Sequence, residues 1–218
     1  MEKLIFLLLL FGNPERPVAE VGQCEPVGGH YTWTQEARHE TRSRAQAACE
    51  AVGASDAICA FVDAVVVRES SGRSGVRHTK GRNENGLGAM GLSLRWHRDK
   101  WPGKDEDPMF CQPEVSFIVA HAIMWRAVTR YHARSLLEVQ AIYAGQWECF
   151  RDPETDTRRC FANPTMRTVK SICGRLKMRG HDCHAPIDKS DLGKRIPFRE
   201  RRAWAERVAE AWTIDRES

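Results

Sequence analysis

Eight cysteines constrain this 218-residue chain more than any other feature of its sequence. A chain of this length can bury a sizeable core and needs neither a metal nor a disulfide merely to fold. The cysteines therefore call for a separate reason. They are Cys24, Cys49, Cys59, Cys111, Cys149, Cys160, Cys173 and Cys183. Their number is even and no Cys-x-x-Cys occurs, which argues against a zinc ribbon and for a disulfide framework. Proximity suggests Cys49 with Cys59, Cys149 with Cys160 and Cys173 with Cys183, leaving Cys24 for Cys111. Each short loop would stabilise the fold by roughly 2–3 kcal/mol on the chain-entropy model. The run His181-Asp182-Cys183-His184 contains zinc-ligand side chains. A disulfide beside two surface histidines is the plainer reading, and neither metal nor cofactor is expected.

Disulfides persist outside the reducing cytosol, so export is the next question. Leu4 to Phe11 is an unbroken apolar run. It is too short to span a bilayer and resembles the apolar region of a secretory signal. A buried N-terminal helix is the other reading. No stable membrane span is expected, and the expected compartment is periplasmic or extracellular. Thirty-three Lys+Arg against 29 Asp+Glu leave a net charge of +4. Nucleic-acid binders concentrate more basic charge on one face, so no nucleic-acid partner is expected. The charge suits an anionic polymer without demanding one.

The pattern along the chain predicts a mainly α protein. Residues 12–34 are rich in Gly and Pro and read as an extended arm. Thr34 is a fitting N-cap for a helix that Gly53 and Ser55-Asp56 interrupt, giving two helices up to about Arg68. The second holds Val62, Val65, Val66 and Val67, yet its length and alanine content favour a buried helix over a strand. Residues 73–86 read as a loop. Pro113 opens a strong helix to about His132, with Phe117, Ala120, His121, Met124, Val128 and Tyr131 at helical spacing. Ser135 caps another over Leu136–Tyr143 that ends at Gly145. One or two helices follow Asn163, with Trp204, Val208, Ala211 and Trp212 on one side of the last. No segment predicts a sheet.

Glu69 stands where the apolar helix meets a polar, glycine-rich stretch. Desolvation at such a place raises a carboxyl's pKa and suits it to act as a general acid, the requirement for opening a glycosidic bond. Around it, in order, come Glu69-Ser70-Ser71-Gly72, then Gly88-Ala89-Met90-Gly91-Leu92, then an apolar helix ending Tyr143-Ala144-Gly145. This resembles the soluble lytic transglycosylase domain of the lysozyme superfamily, over roughly Asp56 to Trp147. That family carries Glu-Ser, Gly-Ala-x-Gly-Leu-Met-Gln and Ala-Tyr-Asn-Ala-Gly. Here Ser93-Leu94 replaces Met-Gln, removing a polar group that lines the family's groove, and the last motif is one residue shorter and lacks its Asn.

The resemblance implies a lysozyme-like helical domain with irregular loops and disulfides. It implies cleavage of the MurNAc-GlcNAc β-1,4 bond of peptidoglycan, leaving 1,6-anhydromuramic ends. Glu69 would be the sole acid/base. Ser70, Gly88, Ala89, Met90, Gly91, Leu92 and Tyr143 would form the substrate site, with Tyr143 orienting Glu69. The residues themselves leave Ser70 as a loop-capping group rather than a nucleophile. Glu84 is the candidate second carboxylate that a hydrolase would need, while Asp63 lies off the face of Glu69. His78, Trp96 and His97 flank the groove segments.

The implied organisation is a signal segment over 1–22, an arm and helix over 23–55, a transglycosylase core over 56–162, and a helical C-terminal extension over 163–218, acting as a monomer on the glycan strand. Three rivals remain open: a lysozyme- or chitinase-type hydrolase of the same fold, a catalytically weak wall-binding protein, and an intracellular DNA-binding helical protein.

Overall fold

A computed structural model describes residues 16–25, 31–80, 83–93, 97–102, 109–145, 147–151, 158–162 and 164–217. The expected signal segment lies mostly outside these residues. The described chain is mainly helical. Helix α1 (Gln35–Ala51) starts at Thr34, whose side chain accepts from the Ala37 N–H. Helix α2 (Asp56–Ser70) is buried on almost every side, from Ile58 to Val66. That explains why the valines sit in a helix: a helix apolar all round is stable only inside a protein, and burial outweighs β-branched propensity. Helix α3 (Pro113–Arg130) has Pro at its start and is the second buried rod. Helix α4 (Leu136–Tyr143) is capped by Ser135, whose hydroxyl accepts from the Glu138 N–H. Helices α5 (Met166–Met178) and α6 (Arg201–Glu217) follow among the described residues.

Helix α1 packs on both α2 and α3, α5 on α2, and α6 on α3 and α1. Phe61, Phe110, Phe117, Met90, Leu92 and Met124 are among the largest fully buried side chains. Ion pairs on buried carboxylates tie the helices together. Arg42 holds Asp63 through two hydrogen bonds of 2.7 and 3.0 Å, and Arg179 reaches the same carboxylate at 2.8 Å. Asp63 is thus a joint between α1, α2 and α5. Arg44 of α1 grips Glu114 of α3 at 2.7 and 2.9 Å. On α6, Trp204 and Ala205 are buried, whereas Ala211 is exposed, so the buried stripe lies nearer the start of the helix than the sequence suggested.

Two expectations need correction. Residues 73–86 are not wholly a loop, and the chain is not without strands. Strands β1 (Arg77–Lys80) and β2 (Asn83–Leu87) form an antiparallel hairpin with a register irregularity at His78/Thr79. Strands β3 (Trp147–Arg151) and β4 (Arg158–Ala162) form another. Both are two-stranded and isolated from each other. Backbone pairing makes them, and polar runs such as Asn83-Glu84-Asn85-Gly86 carry little of the apolar alternation by which strands are recognised.

Three of the expected disulfides are present: Cys24–Cys111, Cys49–Cys59 and Cys173–Cys183. The backbones of Cys149 and Cys160 are direct partners in the β3–β4 ladder; their side chains lie outside the described part. The arm runs beside the chain after α2. The Glu25 N–H donates to the Gly75 carbonyl at 2.8 Å, the Gly22 N–H to the Ser74 hydroxyl at 2.9 Å, and Cys24 fastens the arm to the approach of α3.

His121 is buried in α3, stacked on Phe117 at 5.4 Å. Its Nε2 is 2.8 Å from the Leu192 carbonyl and 3.2 Å from Trp125 Nε1. One nitrogen cannot accept and donate together. The shorter contact selects the neutral tautomer in which Nε2–H donates to Leu192. Burial pushes the His121 pKa down to about 4. The unfolded chain therefore takes up the proton first as pH falls. Its stabilising share is whole above about pH 6.5 and drains between 6.5 and about 4, a loss of about 3 kcal/mol. Urea midpoints should fall across that window, and His121→Phe should flatten the decline. An unchanged slope in the variant would assign the acid sensitivity elsewhere.

Candidate active site

The end of α2 is shaped by its last four residues. Ser70 is buried, and its hydroxyl donates back to the Val66 carbonyl at 2.9 Å. Ser71 and Gly72 then adopt left-handed conformations (φ 57° and 81°), stopping the helix. Arg38 holds the Ser71 carbonyl at 2.8 Å. Glu69 is left on the open side with 28 % of its side chain exposed, 3.4 Å from the Arg68 guanidinium. Desolvation of this carboxyl is therefore partial, and a cation stands against it.

Opposite lies the turn Gly88–Gly91, closed by paired hydrogen bonds between Leu87 and Leu92 of 2.9 and 3.0 Å. Its glycines are backbone requirements. Gly88 has φ +76°, and a Cβ there would lie 2.0 Å from the Phe110 carbonyl oxygen. Gly91 has φ +62°, and a Cβ there would meet the Glu69 Cβ at 3.1 Å and its Oε2 at 3.2 Å. The backbone of Gly91 thus lies flat against Glu69. The turn is pinned at Met90 from two helices: its N–H donates to the Ser116 hydroxyl at 3.1 Å, and its carbonyl accepts from the Tyr143 hydroxyl. Burial and the neighbouring Glu69 charge raise the Tyr143 pKa well above its ordinary value, so the phenol stays a neutral donor.

These pieces border one pocket of about 520 Å³, walled by the ends of α2, α3 and α4, by Gly91 and Ser93, and by residues 97–100. Glu69, Gly91 and Tyr143 meet there, as the motif order implied. Ala144 and Gly145 of the last motif line it too, whereas the remaining motif residues do not. Ala89, Met90 and Leu92 point into the core, Gly88 is buried behind the turn, and Ser70 is turned into its own helix. They build the wall from behind and offer a substrate no side chain. Glu84 sits in β2 opposite Thr79; its side chain, that of His78, and all of Trp96 lie outside the described part.

Besides Ser93 and His97, both named from the sequence, the pocket holds groups that the motifs did not single out: Arg68, Lys100, Arg126 and Tyr131. Ser93 stands where the family carries Met, one residue before the position of the lost Gln, and it adds a hydroxyl to the wall. Burial and the cations Lys100 and Arg126 push the His97 pKa down to about 4, outweighing Asp99, so at neutral pH the ring is uncharged. Among the described lining residues Glu69 is the one carboxylate, set against Arg68, Lys100 and Arg126.

A second cluster brings the sulfurs of Cys173 and Cys183 and a ring nitrogen of His184 within 4.8 Å of one another. Because the two sulfurs are bonded to each other, they are not the thiolates a metal would take. No helix among the described residues is long and apolar enough to cross a membrane.

Comparison with known proteins gives no matching family, curated protein or solved structure.

Proposed function

We propose that the chain is a lysozyme-like lytic transglycosylase that cleaves the MurNAc-GlcNAc β-1,4 bond of peptidoglycan outside the reducing cytosol. One observation carries the reading. The carboxyl of Glu69 leaves the end of a buried helix, lies against the turn at Gly91, which has no side chain, and faces a pocket bordered by the anchored Tyr143. A backbone without side chains lets a sugar ring come close to the acid.

In this reading Glu69 protonates the leaving glycosidic oxygen as the C1–O bond breaks. The same carboxylate then takes the proton of the muramic C6 hydroxyl, whose oxygen bonds to C1. One proton leaves Glu69 and one returns, no water is consumed, and a 1,6-anhydro ring closes. An intramolecular nucleophile makes one carboxyl sufficient, whereas a hydrolase generally needs a second. Tyr143 fixes the turn against which Glu69 rests. The disulfides support an oxidising compartment.

The Arg68 ion pair favours a second reading, a wall-binding protein of weak activity, because a neighbouring cation stabilises the charged carboxyl over the protonated acid. Digestion of purified wall by the oxidised protein, followed by mass spectrometry, tests all three readings. Fragments lighter by one water and without a reducing end are expected. Reducing ends would make the protein a hydrolase, and intact wall with retained binding would make it a binder.

A further inference from the structure

Three donors on residues that wall the pocket beside Glu69 have no acceptor among the described residues. Arg68 Nη1, Arg126 Nε and Ser93 Oγ are all buried without a hydrogen-bond partner among the described residues, and all three residues line the same cavity. Ser93 is only 9 % exposed. A buried donor left unmade costs roughly 1–3 kcal/mol, more when charged, so three in one cavity mark a place built for an acceptor. The charges say which kind. Lys100 is neutralised by Asp99, and the Nε of Arg68 faces Glu69. Arg126 has no carboxylate partner among the described residues; its guanidinium lies 5.4 Å from the centre of the Tyr131 ring, which orients it without neutralising it. The cavity thus keeps an excess of positive charge around a single described carboxylate.

We propose that this cavity is a carboxylate subsite, with Arg126 and Arg68 as charged donors and Ser93 as the neutral one. It selects glycan whose muramic lactyl group is a free acid rather than an amide to a peptide. The inference rests on the peptidoglycan reading and narrows it: the preferred substrate is the product of an amide-cleaving reaction that removes peptides from the glycan. The carboxylate also competes with Glu69 for Arg68, so substrate of this kind loosens the Arg68–Glu69 ion pair. Charge-assisted hydrogen bonds of this sort are typically about twice as strong as neutral ones.

The test compares two probes on the full-length oxidised protein by calorimetry: a GlcNAc-MurNAc tetrasaccharide with free lactyl carboxylates, and the same sugar with those groups blocked as methylamides. The free acid should bind about 10- to 100-fold more tightly at low salt. Arg126→Gln should abolish that preference, and Ser93→Ala should reduce it several-fold. Equal binding of both probes by the unaltered protein would overturn the subsite and leave the peptidoglycan reading standing. So would a preference that survives Arg126→Gln in a folded variant, or, should that variant not fold, one that survives Ser93→Ala. If neither sugar binds, the glycan reading falls. The anion site is then judged by titrating lactate alone and following the arginine side-chain N–H resonances, which should shift in the unaltered protein if the site exists and stay still if it does not.

Discussion

In the Glu69→Gln variant, release of wall fragments is expected to fall by about 10²–10⁴-fold, the usual share of a general acid/base. The amide keeps the size of the side chain and its contact with Gly91, but it can neither give up a proton to the glycosidic oxygen nor take one from the C6 hydroxyl. Stability should hardly move. The bond lost is a partly exposed pair at 3.4 Å with Arg68, and pairs of that kind contribute roughly 0–1 kcal/mol. The informative result is therefore a lost rate in a protein with an unchanged melting curve and unchanged wall binding. Equal clearing of wall by both proteins would remove Glu69 from the mechanism. Gly91→Ala would be a poorer test, because a left-handed backbone and a crowded carboxyl change together.

Arg44→Met is expected to cost about 3–5 kcal/mol, the largest loss of stability foreseen for any single polar side chain here. Glu114 is 1 % exposed and receives both of its bonds from Arg44, which also reaches Gln112 at 3.1 Å. Removing the arginine strands a carboxylate between α1 and α3. The position of Glu114 in the first turn of α3 softens the penalty, since a helix N-terminus favours negative charge. For a chain of this length the melting temperature should fall by about 10 °C. Adding Glu114→Leu should restore most of it, because a pair of apolar side chains can replace a buried ion pair. A melting point unchanged in Arg44→Met would show that water reaches Glu114 in solution.

Helices were the most legible part of this sequence because their ends are written in single residues: Thr34, Ser135 and Pro113 each stand where the structure starts a helix. Cysteine proximity was equally readable, since a spacing of 10 residues in a short loop leaves few other geometries. The hairpins were not, although Trp147-Glu148-Cys149-Phe150-Arg151 and Arg158-Arg159-Cys160-Phe161-Ala162 place their cysteines in register. That alternation spans five residues and is diluted by charge. At the pocket, the Gly-Ala-Met-Gly-Leu motif lies beside Glu69, but mostly not as lining side chains. Its value is a backbone path that only glycine can follow at Gly88 and Gly91, with three side chains facing inward. Arg126 carried no local signal. It is one of 33 basic residues, and only the fold brings it to the same pocket as Glu69.

The C-terminal segment gave no functional hint, yet its bonds run to the centre of the molecule. The Lys194 N–H donates to the Val52 carbonyl at 2.6 Å, the Asp191 carbonyl receives the Ser55 N–H at 2.8 Å, and Arg201 donates to the Lys100 carbonyl at 2.5 Å. The first two close the corner between α1 and α2, and the third holds the rim of the pocket from behind. A fragment ending near residue 162 would keep every motif residue and still lose the clamp on that rim, along with the cover that α5 and α6 give to α2 and α3. Hydrogen exchange should therefore show the amides of α2 and those of α6 nearest Arg201 opening together rather than in sequence. For anyone wishing to shorten or graft this site, the smallest working unit extends well past its last motif.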